Sequence, residues 1–70
     1  MSRKTPLSKN IKRYREKKRL TQEALARKAN ISYNTIIKLE TGGIRDPRMS
    51  TIKKVAKALE VSINELLEDD

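Results

Sequence analysis

Residues 21–41 read TQEALARKANISYNTIIKLET, and the reading of this stretch decides the fold. It divides into two short helical segments around a break at Asn30-Ile31. On a wheel of about 100° per residue, Tyr33, Ile37, Thr41, Asn34 and Lys38 fill one arc of roughly 140°. Thr35, Leu39, Ile36 and Glu40 fill the other side. One face of this second segment can therefore pack on a core. The opposite face presents a phenol ring, an amide, an ammonium and a methyl-bearing hydroxyl to something outside.

The punctuation around the two segments is local and chemical. Leu20 staples the chain before Thr21, which caps a helix over Gln22 to Ala29 with Leu25, Ala26 and Ala29 inward. The small Ala side chains allow another helix to approach closely. Asn30 breaks the pattern, because Asn tolerates the left-handed conformation better than most residues with a Cβ. Ile31 returns to the core, Ser32 caps the next helix, and Gly42-Gly43 ends it.

Working outward, residues 1–7 read as a flexible basic arm. Ser8 is expected to cap a helix running to about Lys18, with Leu7, Ile11 and Tyr14 as its apolar stripe. Past Gly43 comes a loop, Ile44 to Met49, carrying Arg45, Pro47 and Arg48. A helix is expected from about Ser50 to Leu59, with Ile52, Val55, Ala56 and Leu59 inward. Val61 links it to a capping box, Ser62-Ile63-Asn64-Glu65, which opens a last short helix ending near Leu67. Residues 68–70 form an acidic tail. No repeat or strand pattern competes with this all-α reading of a single domain over residues 8–67.

Composition narrows the function. A chain of 70 residues without Phe or Trp must build its core from Ile, Leu, Val and Ala. Without Cys or His it has no disulfide, no thiolate metal site and no imidazole base. The carboxylates gather in the tail and the caps, and no Gly-rich loop with a helix-opening Lys is present. An enzyme is not expected, nor any metal, cofactor or small-molecule ligand. Nothing reaches the apolar length of a membrane span, no signal peptide is visible, and the basic first helix has too thin an apolar face to lie on a bilayer. A cytoplasmic location is the default expectation.

The net charge of +8 is unevenly spread. Residues 1–20 carry +8, residues 21–59 carry +5 and residues 60–70 carry −5. Such segregation exceeds what solubility needs and would orient the molecule before a polyanion. On the outward arc, Asn34 has the chemistry to pair bidentately with adenine and Lys38 to donate to guanine. Tyr33 can meet a thymine methyl or a phosphate, or simply cover the turn. Ile37, an exposed apolar side chain on this reading, can meet a thymine methyl or a protein partner.

These features together resemble the Cro and phage-repressor type of helix-turn-helix domain, also called the xenobiotic-response-element family. The matching residues are Ile11, Tyr14-Arg15, Leu20-Thr21-Gln22, Leu25-Ala26, Ile31-Ser32, Ile36, Leu39-Glu40, Gly42, Pro47, Ala56, Leu59, Val61 and Leu66-Leu67. They run across nearly the whole chain, from about Ser8 to Leu67. The resemblance implies a compact five-helix, lambda-repressor-like DNA-binding domain, with the helix after Ser32 in the major groove. It places Tyr33, Asn34, Lys38 and Ile37 at base-reading positions. It places Gln22, Ser32, Thr41, Gly42 and Gly43 at phosphate-binding positions, with loop residues Arg45 and Arg48 beside them. It makes Arg15 and Glu40 a structural ion pair. Asn30 stands where the family usually has Gly, and Arg48 where it commonly has a Ser or Thr cap.

Double-stranded DNA is thus the expected partner, and a transcriptional repressor the expected role, since no effector domain follows Leu67. The rival is a protein-interaction module such as an antitoxin or a recruiting subunit. Salt dependence separates the two, because phosphate contacts give a steep slope and an apolar interface a shallow one. Self-association is expected to be weak, as a homodimer on two-fold DNA sites only, because Ile63, Leu66 and Leu67 are largely claimed by the monomer core.

Overall fold

The computed structural model describes residues 5–44 and 46–69. Five helices follow in order: α1 (Pro6–Lys17), α2 (Gln22–Ala29), α3 (Tyr33–Thr41), α4 (Met49–Leu59) and α5 (Ile63–Leu67), with no strand among the described residues. Four of these five helices start with a side-chain cap hydrogen bond. The Thr21 hydroxyl accepts from Ala24 N at 3.0 Å, and Ser32 Oγ from Thr35 N at 3.2 Å. Ser62 and Glu65 exchange bonds of 2.9 and 3.0 Å in the expected capping box. Each such cap contributes about 1 kcal/mol.

Two starts differ from expectation. Thr5, not Ser8, caps α1: its Oγ1 accepts from Ser8 N at 3.2 Å, and Pro6 occupies the first helical turn. Pro is pre-set for that turn because its missing N–H has no helical partner there. Pro6 and Leu7 therefore belong to the helix rather than to the expected arm, and Leu7 is buried. Residues 1–4 lie outside the described residues. Ser8 is itself buried, its hydroxyl 3.3 Å from Thr5 Oγ1. At the other difference, α4 begins at Met49, one residue before the expected Ser50. Arg48 is the cap residue and makes no side-chain cap bond.

The core is aliphatic, as a chain without Phe or Trp requires. Ile11, Leu25, Ile36, Leu39, Val55, Leu59 and Leu66 are its fully enclosed members. Helix α2 packs on both α3 and α4, and all of these contribute to one cluster. Ala26 and Ala29 on α2, and Ala56 and Ala58 on α4, are buried, so the helices meet through small side chains. Asn30 ends α2 in the left-handed conformation at φ 58°, as its amide chemistry suggested, while its N–H bonds Arg27 O at 3.1 Å.

Helix α5 has only five residues and is held from outside itself. Asn10 of α1 is buried on the inward side of that helix. Its Nδ2 donates to Leu66 O at 2.8 Å and Glu68 O at 2.7 Å, with Glu65 O at 3.3 Å. These carbonyls are the groups that a helix end leaves without intrahelical donors.

A surface ion cluster closes the far end. Glu60, left-handed at φ 60°, caps α4 and lies 3.0 Å from Lys18 Nζ and 3.9 Å from Lys28 Nζ. The hydrogen bond from Lys18, and the charges of Lys18 and Lys28, hold its carboxyl below the ordinary value of 4.5. A lowered carboxyl stabilises the fold above its unfolded value, and that contribution is lost as pH falls through the folded value. The Glu60 carboxyl should accordingly titrate below free Glu by NMR, and Lys18→Gln should move it back upward. An unchanged titration in Lys18→Gln would remove the cluster from the account. The side chain is 66% exposed, so the effect on stability is small and salt-screened.

Candidate nucleic-acid interface

The core side of α3 is built from Ile36, Leu39 and Glu40, all buried. Two are apolar and fill the centre of the fold. The third is a carboxylate only 3% exposed, and its position depends on partners. Arg15 of α1 supplies them: Nε donates to Glu40 Oε2 at 2.6 Å and Nη2 to Oε1 at 3.1 Å. The paired geometry is the fork-on-fork arrangement that a guanidinium makes with a carboxylate. Its Nη1 donates to Leu20 O at 2.8 Å, in the α1–α2 connection. The hydrogen bond with Glu40 raises the Arg15 pKa, against the opposing effect of burial. The ion pair expected from the resemblance is therefore present and mostly enclosed.

A third donor reaches the same carboxylate. Gln22 Nε2 at the start of α2 donates to Glu40 Oε1 at 3.2 Å. Glu40 thus gathers α1, the first residue of α2 and the last turn of α3 at one point. This fixes how α3 sits across the other two helices. Glu40 takes one of the two amide hydrogens of Gln22, so the side chain is partly turned inward rather than wholly toward solvent.

The outward arc is as the wheel describes it, with one correction. Tyr33, Asn34, Lys38 and Thr41 are exposed, Tyr33 at 45%. Ile37, expected to be exposed, is only partly so. Tyr33 borders an open cleft of about 480 Å³ between α2 and the start of α3, lined also by Glu23, Arg27 and Ser32. The Ser32 hydroxyl is exposed and lies 2.7 Å from Thr35 Oγ1.

At the far end of α3 the polar groups largely bond within the chain. Thr41 Oγ1 donates to Ile37 O at 2.9 Å. Gly42 adopts φ 85°, which favours a residue without Cβ, and its N–H bonds Lys38 O. The N–H groups of Gly43 and Ile44 also point at Lys38 O, at 2.8 and 3.3 Å. The backbone donors of Gly42 and Gly43 are therefore spent on closing the helix. Beyond them, Arg48 is exposed at the cap of α4, and Arg45 lies outside the described residues. Sequence reasoning missed the Gln22–Glu40 bond and the Asn10 clasp. An amide at the edge of a polar wheel arc gives no signal of a partner far along the chain.

Among the described residues no helix is long and apolar enough to cross a membrane, and no group of three or more His, Cys, Asp or Glu is placed to hold a metal ion. Comparison with known proteins gives a consistent picture. The helix-turn-helix family matches residues 11–66. An uncharacterized HTH-type transcriptional regulator of Methanocaldococcus jannaschii is 42% identical over 62 residues, covering 86% of this chain and 92% of that one. No solved structure matches. A match over most of the chain, five helices in the expected order, and α2 and α3 joined at the Asn30 turn lead to one assignment: the chain belongs to the helix-turn-helix family, of the Cro-like, xenobiotic-response-element type.

Proposed function

We propose that this protein is a transcription regulator, acting as a repressor, that binds double-stranded DNA sequence-specifically with α3 in the major groove. The observation that carries this reading is the division of α3. Its inner face is pinned by Leu39 and the buried Glu40, while Tyr33, Asn34, Lys38 and Thr41 stand exposed on one arc. A rigidly held helix with polar side chains on its free face is what base readout needs. The +8 net charge and the regulator among the relatives support a nucleic-acid partner. On this reading Asn34 meets an A·T pair and Lys38 a guanine. Tyr33 and Ile37 flank them near thymine methyl groups. Arg48 and Arg45 hold phosphates, with Ser32 and the remaining amide hydrogen of Gln22 beside them, while the donors of the Thr41 to Gly43 turn stay within the chain. Any homodimer forms weakly and on DNA.

The test separates reading from holding. Selection from a random duplex library identifies a preferred site. Asn34→Ala and Lys38→Ala should then each cost about 1–3 kcal/mol on that site and little on random duplex. Arg48→Ala should weaken both by similar factors and make the salt slope shallower by about one unit. If Asn34→Ala lowers both affinities equally, α3 does not read sequence. A nearly flat salt dependence of wild-type binding would favour a protein partner instead.

A further inference from the structure

Lys38 is the one cation of α3, and the turn that ends the helix wraps around it. Its carbonyl receives the N–H groups of Gly42, Gly43 and Ile44, the last two at 2.8 and 3.3 Å. Its side chain is exposed and makes no ion pair among the described residues. Gly42 is glycine for the sake of its backbone, at φ 85°. Gly43 does not share that conformation, so a side chain at this position brings no backbone strain.

What a side chain at 43 changes is the space beside Lys38. A Cβ there would stand 3.4 Å from both Cβ and Cγ of Lys38, and 3.6 Å from its Cα. Carbon pairs gain most at about 3.5–4.0 Å, so a methyl group fits, but it presses on the stem with no room to spare. A branched side chain crowds the same flank further. Lysine carries its charge on a flexible stem, and the χ1 well of that stem decides where the ammonium goes. The open flank at Gly43 leaves Lys38 its full reach, whereas an occupied one selects among its wells.

We propose that Gly43 is a positioning residue for Lys38, and that position 43 tunes base specificity from outside the reading helix. This proposal rests on the DNA-reading role of α3 above. Gly43 acts without touching base or phosphate, since its N–H is spent on Lys38 O. Its contribution is the missing side chain, which lets the Lys38 stem lie along the end of α3 and carry the ammonium to a base edge. A side chain at 43 swings that stem aside and withdraws the charge from the base.

The experiment uses the full chain with Gly43→Ala and Gly43→Val, each alone and with Lys38→Ala, on the preferred duplex and on a random one. Gly43→Val should weaken the preferred site about 10-fold, as the loss of one base contact does, and Gly43→Ala about 3-fold. Random-duplex affinity should be unchanged, and in the Lys38→Ala background neither substitution should cost anything further. Matched thermal unfolding confirms that the variants are folded alike. A loss shared by both duplexes, or one that persists without Lys38, would mean that the new side chain meets the phosphates itself, and would overturn the proposal. Full affinity of Gly43→Val for the preferred site would overturn it too. Three-bond Hα–Hβ couplings of Lys38, read by NMR without DNA, should shift in Gly43→Val. If the wild type prefers no duplex, the DNA reading fails. Unchanged couplings would then overturn the steric link as well, and shifted ones would show that it holds apart from DNA.

Discussion

Arg15→Met should destabilise the protein by about 3–5 kcal/mol, because it leaves the Glu40 carboxylate buried with no charged partner. Glu40 is 3% exposed, and only the neutral amide of Gln22 would remain on it. A domain of this size has a total stability of about 4–10 kcal/mol, so the variant should be close to unfolding at room temperature. Glu40→Leu should cost less. The guanidinium it strands is 12% exposed, retains Leu20 O, and has a shorter route to water. The double variant should recover most of the loss, since two apolar side chains can fill the same space without an unpaired charge. Urea unfolding of the four proteins gives the cycle. Losses that simply add would show that the pair is not a coupled unit.

Asn10→Ala should cost about 2–3 kcal/mol, the second largest effect expected. It deletes two short hydrogen bonds and leaves the buried carbonyl of Leu66 without a donor. A five-residue helix has no independent stability, so the damage should concentrate there. Amide hydrogen exchange should accelerate in α5 well before α2 or α3 is affected. A loss of under about 0.5 kcal/mol, the range of ordinary surface substitutions, would mean that Leu66 burial alone keeps α5 docked.

These two sites mark where sequence reading succeeds and where it stops. Thr21, Ser32 and Ser62 were legible as caps because a cap bond spans three residues and depends on residue type alone. Asn30 was legible because few residues tolerate the left-handed turn. The inner and outer arcs of α3 were legible because periodicity fixes them. Arg15 with Glu40, 25 residues apart, came within reach only through the family resemblance. Asn10 reaches acceptors 56 and 58 residues away, and nothing in its neighbourhood announces them. For Gln22 the resemblance implies a phosphate position, and the carboxylate that takes part of its amide was not legible because it lies in another helix. The start of α1 slipped because Thr5 and Ser8 are equally good caps, and Pro6 favours the earlier one. The start of α4 slipped because Arg48 caps without using its side chain.

The Glu40 junction also bears on how such a molecule changes over generations. All three donors to that carboxylate approach from α1 and α2, and the burial of Ile36 and Leu39 lies on the same side of α3. Tyr33, Asn34 and Lys38 take no part in it. The helix is therefore mounted like a replaceable type-face, with the characters on one side and the fixing on the other. On the proposed DNA-reading role of α3, substitutions at those three positions would leave the mounting intact, so a lineage, or a designer, could retarget the domain one letter at a time while every intermediate still folds.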